Sequence, residues 1–252
     1  MFGDNSHGFS NETEIINYLN TQNTFDNLNN NFKQFISFLF GYTPNGKLIK
    51  AYKPSGQVKP DVAITIDSIT KYVSVKKGSG NSVHQENISM FTTFLKSMNI
   101  PDNILNDLLL FHYGDGTING KGTERISACQ WIKKYPTKVT SINNFFNKNE
   151  VKEAIIERVL FKGNVQNGAY VDAVYHGSIE DGLWASRKEI LNLMSKNIIH
   201  ENTIHISNLN YQVWNRGLNF NPNTENRRHV MQIKWASLYN DLLNIRGKNG
   251  NK

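Results

Sequence analysis

Two neighbouring segments of the chain carry charged side chains whose types and spacing could do chemistry. Asp61 follows Pro60 at the start of one segment, and Lys76 stands near the end of the next. A carboxylate and an ammonium group that meet at one end of a hairpin could hold a divalent metal ion and a phosphate group. An ordinary surface hairpin with solvated charges is the alternative, and spacing alone favours that alternative.

Alternation of side chains predicts that both segments are β-strands. Over residues 62–66 branched apolar side chains alternate with smaller ones. In the second segment Val73 and Val75 share one face, which we expect to be the core face, so Ser74 and Lys76 share the other. The short polar segment between the two strands predicts a turn, so the strands form a hairpin.

The motif Pro60-Asp61 followed by Ser74-Val75-Lys76 resembles the signature of the PD-(D/E)xK nuclease superfamily, and of type II restriction endonucleases in particular. In that superfamily the aspartate and an acidic residue two positions before the lysine bind Mg²⁺, and the lysine orients or activates the attacking water. This chain has Ser74 where the family has Asp or Glu. Some restriction enzymes with Ser-x-Lys take the missing carboxylate from the following helix, and Glu86 is placed for that role. The resemblance covers residues 59 to 86, about a tenth of the chain.

The resemblance therefore implies a catalytic group of Asp61, Ser74, Lys76 and Glu86, in which Asp61 and Glu86 bind Mg²⁺. Capping-box spacing from Ser82 predicts a helix over about Ser82–Met98 that carries Glu86 in its first turn. A surface acid that stabilises the helix N-terminus is the alternative reading of Glu86.

Other side chains near the motif are candidates for supporting roles. The resemblance allows a glutamate from an N-terminal helix, Glu12 or Glu14, to replace the missing acid, although acids also suit a helix N-terminus without any such role. Lys77, His84 and Gln85 are candidate phosphate contacts, with local structural roles as the alternative.

The last third of the chain has the composition that nucleic-acid contact needs. Arg216, Arg227, Arg228 and Lys234 are candidate DNA-binding residues, because arginine reads guanine edges and both residue types neutralise phosphates. A solvated polar face beside core tryptophans is the alternative. A long C-terminal helix is predicted over residues 225–245.

The resemblance also implies a fold and partners. We expect an α/β protein with a restriction-endonuclease-like central mixed sheet, flanked by helices and with helical insertions. Residues 1–160 would form the nuclease core with a helical insertion, and residues 161–252 the C-terminal part of the same compact unit, with the DNA-recognition and dimerisation region. The expected partners are double-stranded DNA, a second copy in a homodimer and a cognate DNA methyltransferase.

Composition sets broader limits. The chain of 252 residues has 28 Lys and Arg against 21 Asp and Glu, a net charge of +7, which favours a polyanionic partner. Cys129 is the single cysteine, so an internal disulfide and a multi-cysteine zinc site are excluded. No stretch approaches the roughly 20 apolar residues of a membrane span, and the N-terminus lacks the features of a signal peptide, so we expect a cytoplasmic protein.

Two other function classes fit the same sequence. One is a DNA-binding protein on the same fold that has lost its metal site, with Ser74 marking the loss. The other is a nuclease that acts on RNA or on branched DNA.

Overall fold

The structure is a computed structural model that describes residues 6–56, 58–78, 81–164, 168–196 and 202–249. Helices and strands follow one another in runs along the chain. The order is α1 Ser6–Gln22, α2 Asn30–Phe40, β1 Ile49–Tyr52, β2 Val62–Ile66, β3 Ile69–Lys76, β4 Ser82–Asn87, α3 Ile88–Ser97, α4 Asp102–Tyr113, α5 Ala128–Lys134, α6 Pro136–Phe146, α7 Asn149–Ile156, β5 Ala173–Gly177, β6 Gly182–Ser186, α8 Arg187–Met194, β7 His205–Ile206, β8 Leu209–Val213, β9 Val230–Lys234 and α9 Leu238–Asn249. A short 3₁₀ turn precedes α2, a π-helical turn follows α7, and a 3₁₀ helix precedes β9.

The chain divides into two compact units, and each unit contains one of the sheets. The first unit consists of residues 1–81, 160–193 and 237–252, and the second of residues 82–159 and 194–236. Each unit is therefore assembled from separate segments, which differs from a division of the chain at residue 160.

The first unit is built on a mixed five-stranded sheet with the strand order β1-β2-β3-β5-β6. Strands β1, β2 and β3 are antiparallel neighbours, β3 and β5 run parallel, and β5 and β6 are antiparallel. Phe32 and Phe35 of α2 belong to the same buried cluster as Val73, Val75 and Tyr175 of the sheet. The predicted α/β class with a central mixed sheet flanked by helices is confirmed, and the hairpin has the predicted core face.

Local sequence signals set both ends of α2. The Asn29 side chain caps the helix by accepting a hydrogen bond from the backbone N–H of Phe32. Gly41 ends the helix in the left-handed region, at φ 78°, which glycine adopts without the steric cost of a Cβ.

The second unit is built on an antiparallel sheet with the strand order β4-β9-β8-β7. Strand β4 and helices α3 to α7 lie between β3 and β5 in the sequence, so the predicted helical insertion follows the motif hairpin. No helix among the described residues has both the length and the apolar character needed to cross a bilayer.

Two predicted helices are wrong in part. The segment that begins at Ser82 is strand β4, and the helix starts only at Ile88, after Asn87 has capped it. The predicted helix over residues 225–245 is a 3₁₀ helix, Pro222–His229, then β9, and then α9. In both places pairing of β4 with β9 overrides a helical signal in the local sequence.

Candidate active site

The backbone places Asp61 at the entrance of β2. Its N–H donates a hydrogen bond to the carbonyl oxygen of Val73, 2.9 Å away, and the ladder continues with Val62 paired to Val73. Pro60 precedes it and has no N–H to contribute, so the strand begins at this point. Asp61 consequently lies opposite the second half of β3, where Ser74 and Lys76 are found.

One carboxylate oxygen of Asp61 accepts three hydrogen bonds from β3. Its Oδ2 accepts hydrogen bonds from Ser74 Oγ at 2.9 Å, from the Val75 N–H at 2.7 Å and from Lys76 Nζ at 3.0 Å. Two side-chain donors and one backbone donor fix the rotamer of the carboxylate. The sequence motif therefore corresponds to a contiguous group of side chains in the first unit.

The same group remains open to solvent on one side. The Asp61 and Lys76 side chains are 21% and 20% exposed, whereas Ser74 is buried at 2%. None of the hydrogen bonds found among the described residues involves Asp61 Oδ1. Oδ2 is thus committed to the protein, and Oδ1 is the oxygen that could accept a ligand.

A histidine beside this group was not predicted from the sequence. His176 of β5 pairs in register with Lys76 on the parallel strand β3. Its Nε2 lies 3.1 Å from the carbonyl oxygen of Gly78, and its ring packs edge-on against Tyr239. Because His176 lies a hundred positions further along the chain, only the pairing of β3 with β5 brings it here, and no spacing rule would have found it.

The two N-terminal glutamates of α1 are engaged in ion pairs in the first unit. Glu12 pairs with Lys53 at 2.9 Å, and Glu14 pairs with Lys77 at 3.5 Å. The Glu14–Lys77 pair is exposed on both sides, at 49% and 43%, so it is a weak surface contact. Lys77 therefore lies on the surface, away from the Asp61 carboxylate that Lys76 contacts.

Glu86 lies on strand β4 of the second unit and not in the first turn of a helix. Arg158 donates from Nε to Oε1 at 2.9 Å and from Nη2 to Oε2, so a bidentate pair occupies both oxygens. His84 Nε2 lies 3.1 Å from Oε1, while the Gln85 side chain is exposed on the opposite face. The Glu86 side chain is 0% exposed.

The electrostatics of Glu86 follow from these contacts. Burial by itself raises the pKa of the carboxyl group, but hydrogen bonds from His84 and Arg158 outweigh it and hold the pKa of Glu86 below its usual value. The carboxylate is therefore charged and saturated with donors, as in a structural ion pair.

The candidate DNA-binding residues of the last third differ in accessibility. Arg228 is 3% exposed and pairs with Asp115 at 2.9 Å, and Arg216 is 8% exposed and lies over the ring of Phe111. Both guanidinium groups are thus buried within the second unit, and Arg228 is held there by an ion pair. Arg227 is exposed and Lys234 is half-buried on β9, so these two remain accessible to a partner.

The oxygen donors of this group suit Mg²⁺ in one of its usual binding modes. No group of three or more His, Cys, Asp or Glu side chains suited to a metal ion occurs in the described ranges. Mg²⁺, however, is commonly held by one or two carboxylates, with waters and substrate phosphates as the other ligands. Asp61, with Oδ1 open and Oδ2 anchored, fits that mode as a single protein carboxylate.

Comparisons with known proteins add no family assignment. No protein-family model matches the chain, and a search of curated proteins found no similar sequence. The case for function therefore depends on the geometry of the site and on the motif.

Proposed function

We propose that this protein is a magnesium-dependent endonuclease that hydrolyses phosphodiester bonds of double-stranded DNA. The observation that carries the proposal is the convergence of Ser74 and Lys76 on one oxygen of Asp61, with the other oxygen open. A hairpin with merely solvated charges needs no such arrangement. The net charge of +7 is consistent with a polyanionic substrate.

Each residue of the group has a distinct role in this proposal. Asp61 Oδ1 would hold Mg²⁺, while Ser74 Oγ and the Val75 N–H keep the carboxylate in place through Oδ2. When bound, the metal polarises the phosphate and lowers the pKa of a coordinated water. Lys76, whose ammonium group pairs with Asp61 Oδ2 at 3.0 Å, would orient a water and stabilise the negative charge that develops on the phosphate.

The proposal does not depend on Glu86. Because both of its oxygens are held by Arg158, a role as metal ligand requires that pair to break. Asp61 is therefore the protein carboxylate in this proposal, and Glu86, Glu12 and Glu14 are each held in an ion pair.

Finer features of the proposal come from the family resemblance. A type II restriction enzyme recognises a short specific site, cuts both strands as a homodimer and is accompanied in the cytoplasm by a DNA methyltransferase that protects the host. Two-fold symmetry in the protein suits a symmetric DNA site.

Cleavage of supercoiled plasmid with and without Mg²⁺ tests the proposal. Asp61→Asn and Lys76→Met should each lower the rate by about a hundredfold or more, since each removes a charge placed at the reacting phosphate. Lys47→Met is the matched control, because Lys47 is a lysine of the same unit that pairs at 3.1 Å with Asp67 in the turn of the hairpin, with both side chains about half exposed. It should cut at nearly the wild-type rate.

The products separate the alternatives. Discrete fragments support a restriction enzyme, and a smear supports a non-specific nuclease. Retarded migration without any cleavage would favour a binding protein, a reading that gains weight from the single carboxylate of the site. Equal activity of the Asp61, Lys76 and Lys47 variants would refute the assignment of the site.

A further inference from the structure

A cavity in the second unit is lined by basic, aromatic and amide side chains that have no role in the proposed active site. Its volume is about 960 Å³, within the range of sites that hold a small molecule. Residues of α4, α5 and β8 line it, together with the loop that follows β8. All of its lining residues belong to the second unit.

The cavity is bordered by a buried cation to which none of the described residues supplies a counter-charge. Arg216 is 8% exposed; its guanidinium lies 4.6 Å from the centre of the Phe111 ring, and Nη1 donates to the carbonyl oxygen of Ile126. Its Nη2 is buried, and none of the described residues accepts a hydrogen bond from it. Burial lowers the pKa of Arg216 to about 10, so the group is still charged at neutral pH.

An orphaned donor of this kind is costly. A buried N–H of a charged group that has no acceptor loses its hydration without compensation. Because Nη2 has no accessible surface, a ligand in the cavity would meet the positive charge of Arg216 and not this N–H. The remaining charge points the same way, because Lys133 lines the cavity and none of the described lining residues is acidic.

The opening of the cavity presents a flat aromatic surface and several amides. Trp214 is 42% exposed, and the guanidinium of Arg227 lies 5.0 Å from the centre of its indole ring. Gln212, Asn215 and Asn219 add side-chain amides, whose NH₂ groups can donate to a base edge, while the oxygens of Asn215 and Asn219 already accept from the N–H groups of Gly217 and Asn221. An aromatic platform, cations and amides together match a nucleotide.

We propose that this cavity, which we call the Trp214 pocket, binds a single unpaired nucleotide of DNA, with the base on Trp214 and its phosphate facing the positive charges of Arg216 and Lys133. A paired base shows a protein only its edges, whereas stacking on an exposed indole requires the face of the base. A concave site therefore suits a nucleotide that is single-stranded or extruded from the duplex. The choice of a nucleotide as ligand rests on the proposed nuclease function.

Binding of a mixed-sequence single-stranded oligonucleotide and of the matching duplex is measured in EDTA, so that cleavage plays no part. Trp214→Ala should weaken single-strand binding by about tenfold or more, the effect expected for one lost base–aromatic stack, and duplex binding by less than about twofold. Trp214→Phe should keep most of the single-strand affinity. Phe220→Ala is the matched control, since Phe220 is 53% exposed and lies under Arg125, outside the pocket.

Cys129 locates the bound strand. It is exposed, lines the pocket and is the single cysteine of the chain, so labelling by a maleimide reports on this site alone. The oligonucleotide should slow labelling of the wild type and not of Trp214→Ala. Unchanged single-strand affinity in Trp214→Ala, an equal loss for single strand and duplex, or labelling that the oligonucleotide does not slow would each overturn the proposal.

The two proposals fail separately. A protein that binds single strands through Trp214 but never cuts plasmid loses the nuclease function and keeps the pocket. A protein that cuts plasmid in a Lys76-dependent manner, with Trp214→Ala binding as the wild type does, keeps the nuclease and loses the pocket.

Discussion

Replacing Glu86 with alanine should destabilise the second unit strongly, because the substitution leaves Arg158 without its partner. The Glu86 side chain is 0% exposed and that of Arg158 is 16% exposed, so the pair is shielded from solvent. Removing one partner of a buried ion pair costs about 3–5 kcal/mol of unfolding free energy, mainly because the other charge stays buried and unpaired. At roughly 2–4 °C per kcal/mol for a chain of this size, the melting temperature should fall by about 6–20 °C.

Urea unfolding of the wild type, the two single variants and the double variant measures this loss of stability. Glu86→Ala and Arg158→Ala should each be destabilised, and the double variant should lose clearly less than the sum of the two, because the second substitution removes the stranded charge. Glu14→Ala is the control for a surface pair, and since both partners are about half exposed it should cost no more than about 1 kcal/mol.

The pH dependence gives an independent check of the same pair. Since the folded pKa of Glu86 is lowered below 4.5, its contribution to stability is present above pH 4.5 and is lost as the pH falls through the folded pKa. Glu86→Ala should lack that part of the acid-induced loss. If the variant unfolds at the wild-type urea concentration while plasmid cleavage disappears, a structural role for Glu86 is refuted and Glu86 belongs in the metal site.

Two further predictions concern a buried histidine and the motif serine. Burial lowers the pKa of His112 to about 3, and the neutral ring contacts the Tyr211 hydroxyl and the carbonyl oxygen of Arg228, both at 2.7 Å. The unfolded state therefore binds the extra proton below about pH 6.5, so urea titrations should show a loss of about 2 kcal/mol between pH 6.5 and pH 5, and His112→Gln should flatten that slope. Ser74→Asp places a second carboxylate beside Asp61, so in EDTA this variant should melt below the wild type, and Mg²⁺ should raise its melting temperature more than that of the wild type. An identical Mg²⁺ shift in both proteins would argue against a metal at Asp61.

The motif hairpin could be predicted because its information is local. Alternation in β2 and β3 and the proline before Asp61 specify which side chains share a face, and a two-residue turn keeps the strands in register. The convergence of Asp61, Ser74 and Lys76 needs only these two strands. Sequence reasoning is at its strongest where, as here, every partner lies within about fifteen positions.

The errors arise where a partner is distant in sequence. Ser82 to Gln85 has the spacing of a capping box, and nothing within the segment shows that Glu86 will pair with Met231 across the second sheet. The same long-range pairing turns Val230–Lys234 into a central strand flanked by β4 and β8. The sequences of β4 and β9 each favour a helix when they are considered separately, and the two segments form strands because they pair with each other.

Ser74 also explains why the complete set of metal ligands could not be predicted from the local sequence. Because position 74 is a serine, Asp61 is the one carboxylate at this end of the hairpin. Its Oδ2 already accepts three hydrogen bonds from β3. Any further acidic ligand must come from outside β2 and β3, from a residue whose spacing carries no signal. His176 shows how this happens, because it reaches the side of Lys76 only through the parallel pairing of β3 with β5. Any further ligand of the metal is therefore a residue that strand pairing brings to the hairpin from a distant part of the sequence. The decisive experiment is a metal-binding measurement on Asp61→Asn, because Asp61 is the carboxylate that the hairpin itself supplies.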